Sequence, residues 1–127
     1  RSLLGVAEHF EARGKHDFVF CERGIVAPHT HNLNSRAIID IQAVPALKEY
    51  APSVPVFIDP SHSTFKRKYV PAISRAGIAA GANGLLIEVH PYPEKAWVDP
   101  LNAINYTEFG RLMKEIKGIT KVLGKII

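Results

Sequence analysis

Three short runs of unbroken apolar character punctuate the chain: Phe18-Val-Phe-Cys21, Val56-Phe-Ile-Asp59 and Leu85-Leu-Ile-Glu88. A strand with one face in water alternates apolar and polar residues. These runs do not, so each is read as a strand covered on both faces. Between them, apolar positions recur at helical spacing. Leu3, Val6, Ala7 and Phe10 share a face that ends at Gly14, and Ile41, Val44 and Leu47 share another behind a cap at Asp40. Val70, Ile73, Gly77 and Ala80 form a third stripe, with Pro71 near its start and Gly81 where a C-terminal cap belongs. The last helix is the clearest. Asn105 and Glu108 have the spacing of a capping box, Phe109, Leu112, Met113 and Ile116 make an apolar face, and Gly118 is expected to stop it.

The order is helix, strand, helix, strand, helix, strand, helix, with strand starts ~30 to 40 residues apart, the period of right-handed βα units in a parallel sheet. No linker or low-complexity stretch divides it. The loop from Gly24 to Arg36, with His29, His31, Asn32 and Asn34, and the loop from His90 to Asn102 are long for such units, and long loops in compact domains are often functional. Three strands make a poor closed object, because an eight-unit barrel needs about 250 residues and an open doubly wound sheet usually has five strands or more. The first helix also lacks the strand it should follow. The expectation is one α/β domain over residues 1–127, incomplete on its N-terminal side, or a domain that covers its sheet edges with another chain.

Composition narrows the function classes. With 127 residues, 46% hydrophobic and 22% charged, the chain is neither collagenous, fibrous nor disordered, and it has room for one core. Sixteen Lys and Arg against twelve Asp and Glu give a formal charge of +4. Apart from Lys66, Arg67 and Lys68 the basic residues are scattered, and no basic helix is interleaved with aromatics. That pattern suits an anionic metabolite rather than nucleic acid. The single Cys21 permits no internal disulfide, in keeping with a reducing cytoplasm. No apolar run approaches the ~20 residues that span a bilayer, and Arg1-Ser-Leu-Leu-Gly5 turns polar too soon for a signal peptide. The expected location is the cytoplasm, with no membrane partner.

Each apolar run is followed at once by polar residues: Cys21-Glu-Arg-Gly24, Asp59-Pro-Ser-His-Ser63 and Glu88-Val-His-Pro91. In parallel α/β folds the C-terminal strand ends form the active face, so three separate segments aim ionisable groups at one region. His62, Glu88 and Asp99 offer one imidazole and two carboxylates, a mixed set suited to Mn²⁺, Fe²⁺, Co²⁺ or Zn²⁺. Taken singly, His62 also fits a hydrogen-bonded histidine and Asp99 an ordinary loop carboxylate. Glu88 closes an apolar run, where an ionised group is expensive to bury without a cation or donors. Arg23 suits bidentate binding of a phosphate or carboxylate, or else an ion pair with Glu22 or a neighbouring loop. Lys66 and Lys68 read as solvated, Arg75 as structural and Cys21 as a buried free thiol. No nucleophile elbow, P-loop or dinucleotide fingerprint is present.

Taken together, Cys21-Glu-Arg-Gly24, Asp59-Pro-Ser-His-Ser63, Ser74-Arg75 and Glu88-Val-His-Pro-x-Pro-Glu-Lys-Ala96 followed by Asp99 resemble the type I 3-deoxy-arabino-heptulosonate 7-phosphate synthases, relatives of 3-deoxy-manno-octulosonate 8-phosphate synthase. The resemblance runs from the first helix to the last in order and spacing. It implies the C-terminal portion, about three strands and four helices, of a (β/α)₈ TIM barrel. It further implies an aldol-type condensation of phosphoenolpyruvate with erythrose 4-phosphate, the opening step of the shikimate pathway, assisted by a divalent metal.

By the same resemblance His62, Glu88 and Asp99 are metal ligands, His62 and Glu88 being catalytic, and Arg23 contacts phosphoenolpyruvate. Glu22 and Arg36 are expected beside Arg23 in substrate binding. The family's cysteine ligand and several substrate-gripping lysines and arginines belong to earlier strands that this chain lacks, and Cys21 occupies a different place. Ala37 stands where the branch usually has asparagine, and the two histidines between Ile25 and Ser35 are unusual. Three readings follow: a heptulosonate synthase written here in part, a noncatalytic phosphate-binding or assembly module, and an octulosonate- or sialic-acid-type synthase with another phosphorylated aldose. In each, the chain alone is expected to be silent and to associate, with itself or with the rest of a barrel.

Overall fold

The computed structural model describes residues 2–27 and 37–125. His29, His31, Asn32, Asn34 and the expected substrate residue Arg36 lie outside the described residues.

The described chain runs α1 (Ser2–Glu11), β1 (Phe20–Glu22), α2 (Ala43–Tyr50), β2 (Val56–Ile58), α3 (Pro60–Thr64), α4 (Val70–Ala79), β3 (Gly84–Leu85) and α5 (Tyr106–Val122), with single 3₁₀ turns at Arg67–Tyr69 and Pro93–Lys95. The sheet has the order β1-β2-β3 and is parallel throughout, Phe20 opposite Val56 and Phe57 opposite Gly84. A helix lies between successive strands, as the spacing predicts.

The apolar core fills the space between the sheet and its helices. Phe20, Val56 and Ile58 from the strands meet Val44 and Leu47 of α2, Val70 and Ile78 of α4, and Leu112 and Ile116 of α5. Close approach of α4 to β2 depends on Gly77, where a Cβ would stand 2.5 Å from Ile58 Cδ1. Phe10 and Phe18 stack at 5.6 Å between ring centroids and carry α1 onto the end of β1.

Four expectations change. The strands are not covered on both faces: Val19 is 45% and Leu86 51% exposed, because the described helices pack on one side of the sheet. The regular part of the third strand is Gly84–Leu85 rather than residues 85–88, since among the described strands only β2 pairs with it. Beyond it, the His90 N–H donates to the Ile104 carbonyl (3.0 Å) and the Ile104 N–H to the Glu88 carbonyl (3.0 Å). A fifth helix, the single turn α3, follows β2 directly and carries His62. Finally, Gly118 does not stop α5, which continues to Val122. The turn comes at Gly124, whose φ of +67° suits glycine.

The capping signals hold for α5 and at Gly81, whereas α2 begins behind Gln42, which makes no side-chain cap bond, with Asp40 two residues further back. Asn105 accepts from the Glu108 N–H at 2.8 Å while the Glu108 carboxylate accepts from the Asn105 N–H at 2.9 Å. Asp40 Oδ1 accepts from the Ala43 N–H at 3.2 Å ahead of α2. Gly81 has the expected positive φ, +106°, and the Lys125 ammonium donates to its carbonyl at 2.7 Å.

Two substitutions check α5 in chemical denaturation. Asn105→Ala is expected to cost about 1 kcal/mol by removing a cap. Gly118→Ala is expected to stabilise by about 0.5–1 kcal/mol, because the position is an exposed helix interior with open space around a Cβ. Destabilisation by Gly118→Ala would mean that the helix ends there.

Candidate metal and anion site

The site grows from the end of β2. Asp59 follows the last residue of the strand and caps α3, with Pro60 in the first helical turn, where its missing N–H costs nothing. Asp59 Oδ1 accepts from the His62 backbone N–H at 2.9 Å, and Oδ2 lies 2.7 Å from His62 Nδ1. The Asp59 side chain is fully buried. An ionised carboxylate only accepts, so Nδ1 carries a ring proton and Nε2 is the nitrogen left to face a proton or a cation.

That Nε2 points at two further carboxylates. Glu88 Oε1 is 3.6 Å away and Asp99 Oδ2 3.4 Å. One donor atom from each of His62, Glu88 and Asp99 falls within 4.8 Å of the others. A neutral imidazole lone pair facing two carboxylates is repulsive unless a proton or a cation sits between them, and a nitrogen with two oxygens is a common divalent-metal donor set. The three residues therefore fit a divalent cation.

Each of the other two donors has its own support. The Glu88 N–H donates to Ser61 Oγ at 3.0 Å, fastening the end of the third strand segment to α3 beside His62. Its side chain is 45% exposed, so expensive burial does not explain it; its direction does. Asp99 takes a φ of +50°, a conformation that costs a non-glycine residue energy, and the turn behind it is closed by the Asn102 N–H donating to the Asp99 carbonyl at 3.0 Å. Arg67 holds the same loop from the other side. Its Nη2 donates to the Pro100 carbonyl at 2.8 Å and its backbone N–H to the Leu101 carbonyl at 2.8 Å.

Arg23, directly after β1, places Nε 3.6 Å from Asp59 Oδ2 while its side chain stays 61% exposed. Among the described residues its charged partner is thus not Glu22 but Asp59, the carboxylate after the neighbouring strand that orients His62. Glu22 is buried, and its Oε1 accepts from the backbone N–H groups of Gly24 (2.9 Å) and Asp40 (3.2 Å). It shapes the turn that presents Arg23. Lys66 and Lys68 lie over the Tyr69 ring, 5.1 and 5.4 Å from its centroid. Arg75 pairs with Glu115 of α5 at 2.6 Å, a structural contact as expected.

The structure thus gathers His62, Glu88 and Asp99, and joins Arg23 to them through Asp59. Sequence reasoning gave no role to Asp59, Ser61 or Arg67. Asp59 carried a signal, since Asp-Pro ahead of a polar turn marks a helix start; the contacts of Ser61 and Arg67 are made with segments 27 and 33 residues away and leave no local trace.

A sequence profile of the DAHP synthetase I family matches residues 2–124. The chain belongs to that family. A phospho-2-dehydro-3-deoxyheptonate aldolase of Thermotoga maritima is 39% identical over 118 residues, covering 93% of this chain and 34% of the relative. A 2-dehydro-3-deoxyphosphooctonate aldolase of Dichelobacter nodosus is 30% identical over 120 residues, 86% of this chain and 41% of the relative. The chain therefore spans well under half the length of these relatives. Among solved structures, the Thermotoga maritima DAHP synthase superposes with a TM-score of 0.87 at 38% identity over 96% of this chain and 35% of its own. A truncated form of the enzyme gives 0.85 at 39% identity over 94% and 44%. The three-stranded parallel unit of this family member is consistent with part of a barrel. Among the described residues, no helix is long and apolar enough to cross a membrane.

Cys21 offers a check on the electrostatics. Desolvation, and then the Asp59 charge, push its thiol above the ordinary range, while Arg23 pulls it back in part. The thiol is protonated at neutral pH and is a poor nucleophile. Labelling of Cys21 by a disulfide reagent is expected to be slow at pH 7 and to keep accelerating as the pH rises past that of a free thiol; fast labelling at neutral pH would contradict the arrangement.

Proposed function

We propose that the chain forms part of a (β/α)₈ barrel enzyme that joins phosphoenolpyruvate to erythrose 4-phosphate in an aldol-type condensation, giving 3-deoxy-arabino-heptulosonate 7-phosphate at the start of the shikimate pathway. The observation that carries this reading is His62 Nε2, freed by the Nδ1–Asp59 bond and aimed at Glu88 and Asp99. Family membership and the 39% identical heptulosonate relative support the reaction class. The octulosonate reaction differs in its aldose, and relatives near 30% identity keep it as the second reading.

In this proposal His62, Glu88 and Asp99 hold a divalent cation of the Mn, Fe, Co or Zn group. When bound, that cation supplies Lewis-acid polarisation of the aldehyde or activation of water. The remaining steps belong to side chains. Arg23 offers a planar, permanently charged donor set to the phosphate or carboxylate of phosphoenolpyruvate. Asp59 keeps His62 in one tautomer and ring orientation. Glu22 keeps Arg23 at the mouth of the site, and Arg67 keeps the Asp99 loop closed over it. The cysteine ligand and the substrate lysines that the resemblance implies would come from other strands of the barrel. The bare face of the sheet, with Val19 and Leu86 exposed, is where those strands, or a second copy, would pack.

The 127-residue chain alone is expected to give no measurable consumption of phosphoenolpyruvate with erythrose 4-phosphate, since positioning in a condensation depends on the whole constellation. Light scattering is expected to show association rather than a monomer. Titration with Mn²⁺ or Zn²⁺ is expected to show weak binding that His62→Ala reduces further, by roughly tenfold or more. Turnover by a stable monomer would overturn the partial-barrel reading, and equal metal binding by the two proteins would remove His62 from the ligands.

A further inference from the structure

The two halves of the site meet on one oxygen. Asp59 Oδ2 lies 2.7 Å from His62 Nδ1 and 3.6 Å from Arg23 Nε, and the side chain that carries it is fully buried. Among the described residues no other charged group pairs with Arg23, and its side chain is 61% exposed, within reach of an incoming anion. The imidazole N–H and the guanidinium therefore compete for the same oxygen. While Arg23 is bare, its charge weakens Asp59 as an acceptor for the His62 N–H; when an oxyanion neutralises Arg23, Asp59 turns more fully to His62. A stronger Nδ1–H···O bond makes the opposite ring nitrogen a better donor to a metal.

We propose that Asp59 is a positioning residue that couples the two sites, so that an oxyanion on Arg23 and a divalent cation on His62, Glu88 and Asp99 each tighten the binding of the other. The coupling rests on the metal-site reading above and adds a regulation that the reading does not require. Reciprocity follows from linkage: whatever factor the anion brings to metal affinity, the metal brings to the anion. In an enzyme this arrangement favours filling both sites together.

The test uses the whole chain, with Co²⁺ as metal, its visible absorption as readout, and phosphoenolpyruvate as the anion at constant ionic strength and buffered free Co²⁺. In the unsubstituted chain, phosphoenolpyruvate is expected to tighten Co²⁺ binding about 3- to 10-fold. Asp59→Asn keeps the shape but removes the shared charge. It is expected to weaken Co²⁺ binding by roughly 10- to 100-fold, the range for second ligand-shell substitutions, and to reduce the linkage to less than about 1.5-fold. In the metal-free chain, the ¹⁵N signal of His62 Nδ1 is expected to shift with phosphoenolpyruvate and with Arg23→Gln, an exposed substitution that leaves the buried cap intact should Asp59→Asn fail to fold. Linkage that survives undiminished in folded Asp59→Asn would mean direct contact between anion and metal, and would overturn the inference. So would Co²⁺ binding without linkage, or a His62 signal blind to both phosphoenolpyruvate and Arg23→Gln. Absence of Co²⁺ binding by the unsubstituted chain would instead overturn the metal reading itself, and the inference with it.

Discussion

Burying the Asp59 carboxylate is the constraint around which the site is organised. An ionised carboxylate taken fully out of water incurs a penalty of several kcal/mol unless donors replace the lost solvent. Here the replacements are the His62 backbone N–H, the His62 ring and the Arg23 guanidinium. Each has a structural consequence. The backbone bond starts α3 one residue past the strand, the ring bond leaves His62 with a single direction in which to offer its other nitrogen, and the guanidinium draws the end of β1 toward the end of β2.

The rest of the site is fastened to that centre by contacts distant in sequence. Ser61, next to His62 on the same turn, receives the Glu88 N–H and so sets the distance between imidazole and carboxylate. Arg67 reaches across to the carbonyls of Pro100 and Leu101, bracing a loop whose key residue, Asp99, sits at a positive φ. Strain of this kind persists only where surroundings over-determine the backbone. A tight turn and the half-buried Arg67 do so here, and the result is a third carboxylate aimed at the same nitrogen.

The sheet explains why so polar a cluster coexists with so much exposed apolar surface. Helices cover one face, with Gly77 letting α4 approach Ile58 closely, and the opposite face leaves Val19 and Leu86 open. Continuous apolar runs signal strands built for burial on both sides. The described residues complete only one side. The likeness to the Thermotoga maritima synthase over about a third of that protein's length fits a surface made for further strands.

Much of this was written locally. The parallel βα order, the stripes of α4 and α5, the Asn105–Glu108 box, Gly81 at the end of α4, and the convergence of polar residues at three strand ends follow from patterns a few residues long, because helix and strand periodicity and caps are near-neighbour physics. His62 and Glu88 were legible as donor types after apolar runs, and Asp99 as a carboxylate of the long loop that follows the third. What tertiary structure decided is geometry between segments: that Arg23 pairs with Asp59 rather than Glu22, that Glu22 spends its carboxylate on backbone N–H groups, that α5 runs through Gly118 because helical φ and open space suffice there, and that the strands are bare on one side. Nothing in the local pattern records these outcomes, since each depends on which oxygen or face another segment, up to 36 residues away as for Arg23 and Asp59, brings against it.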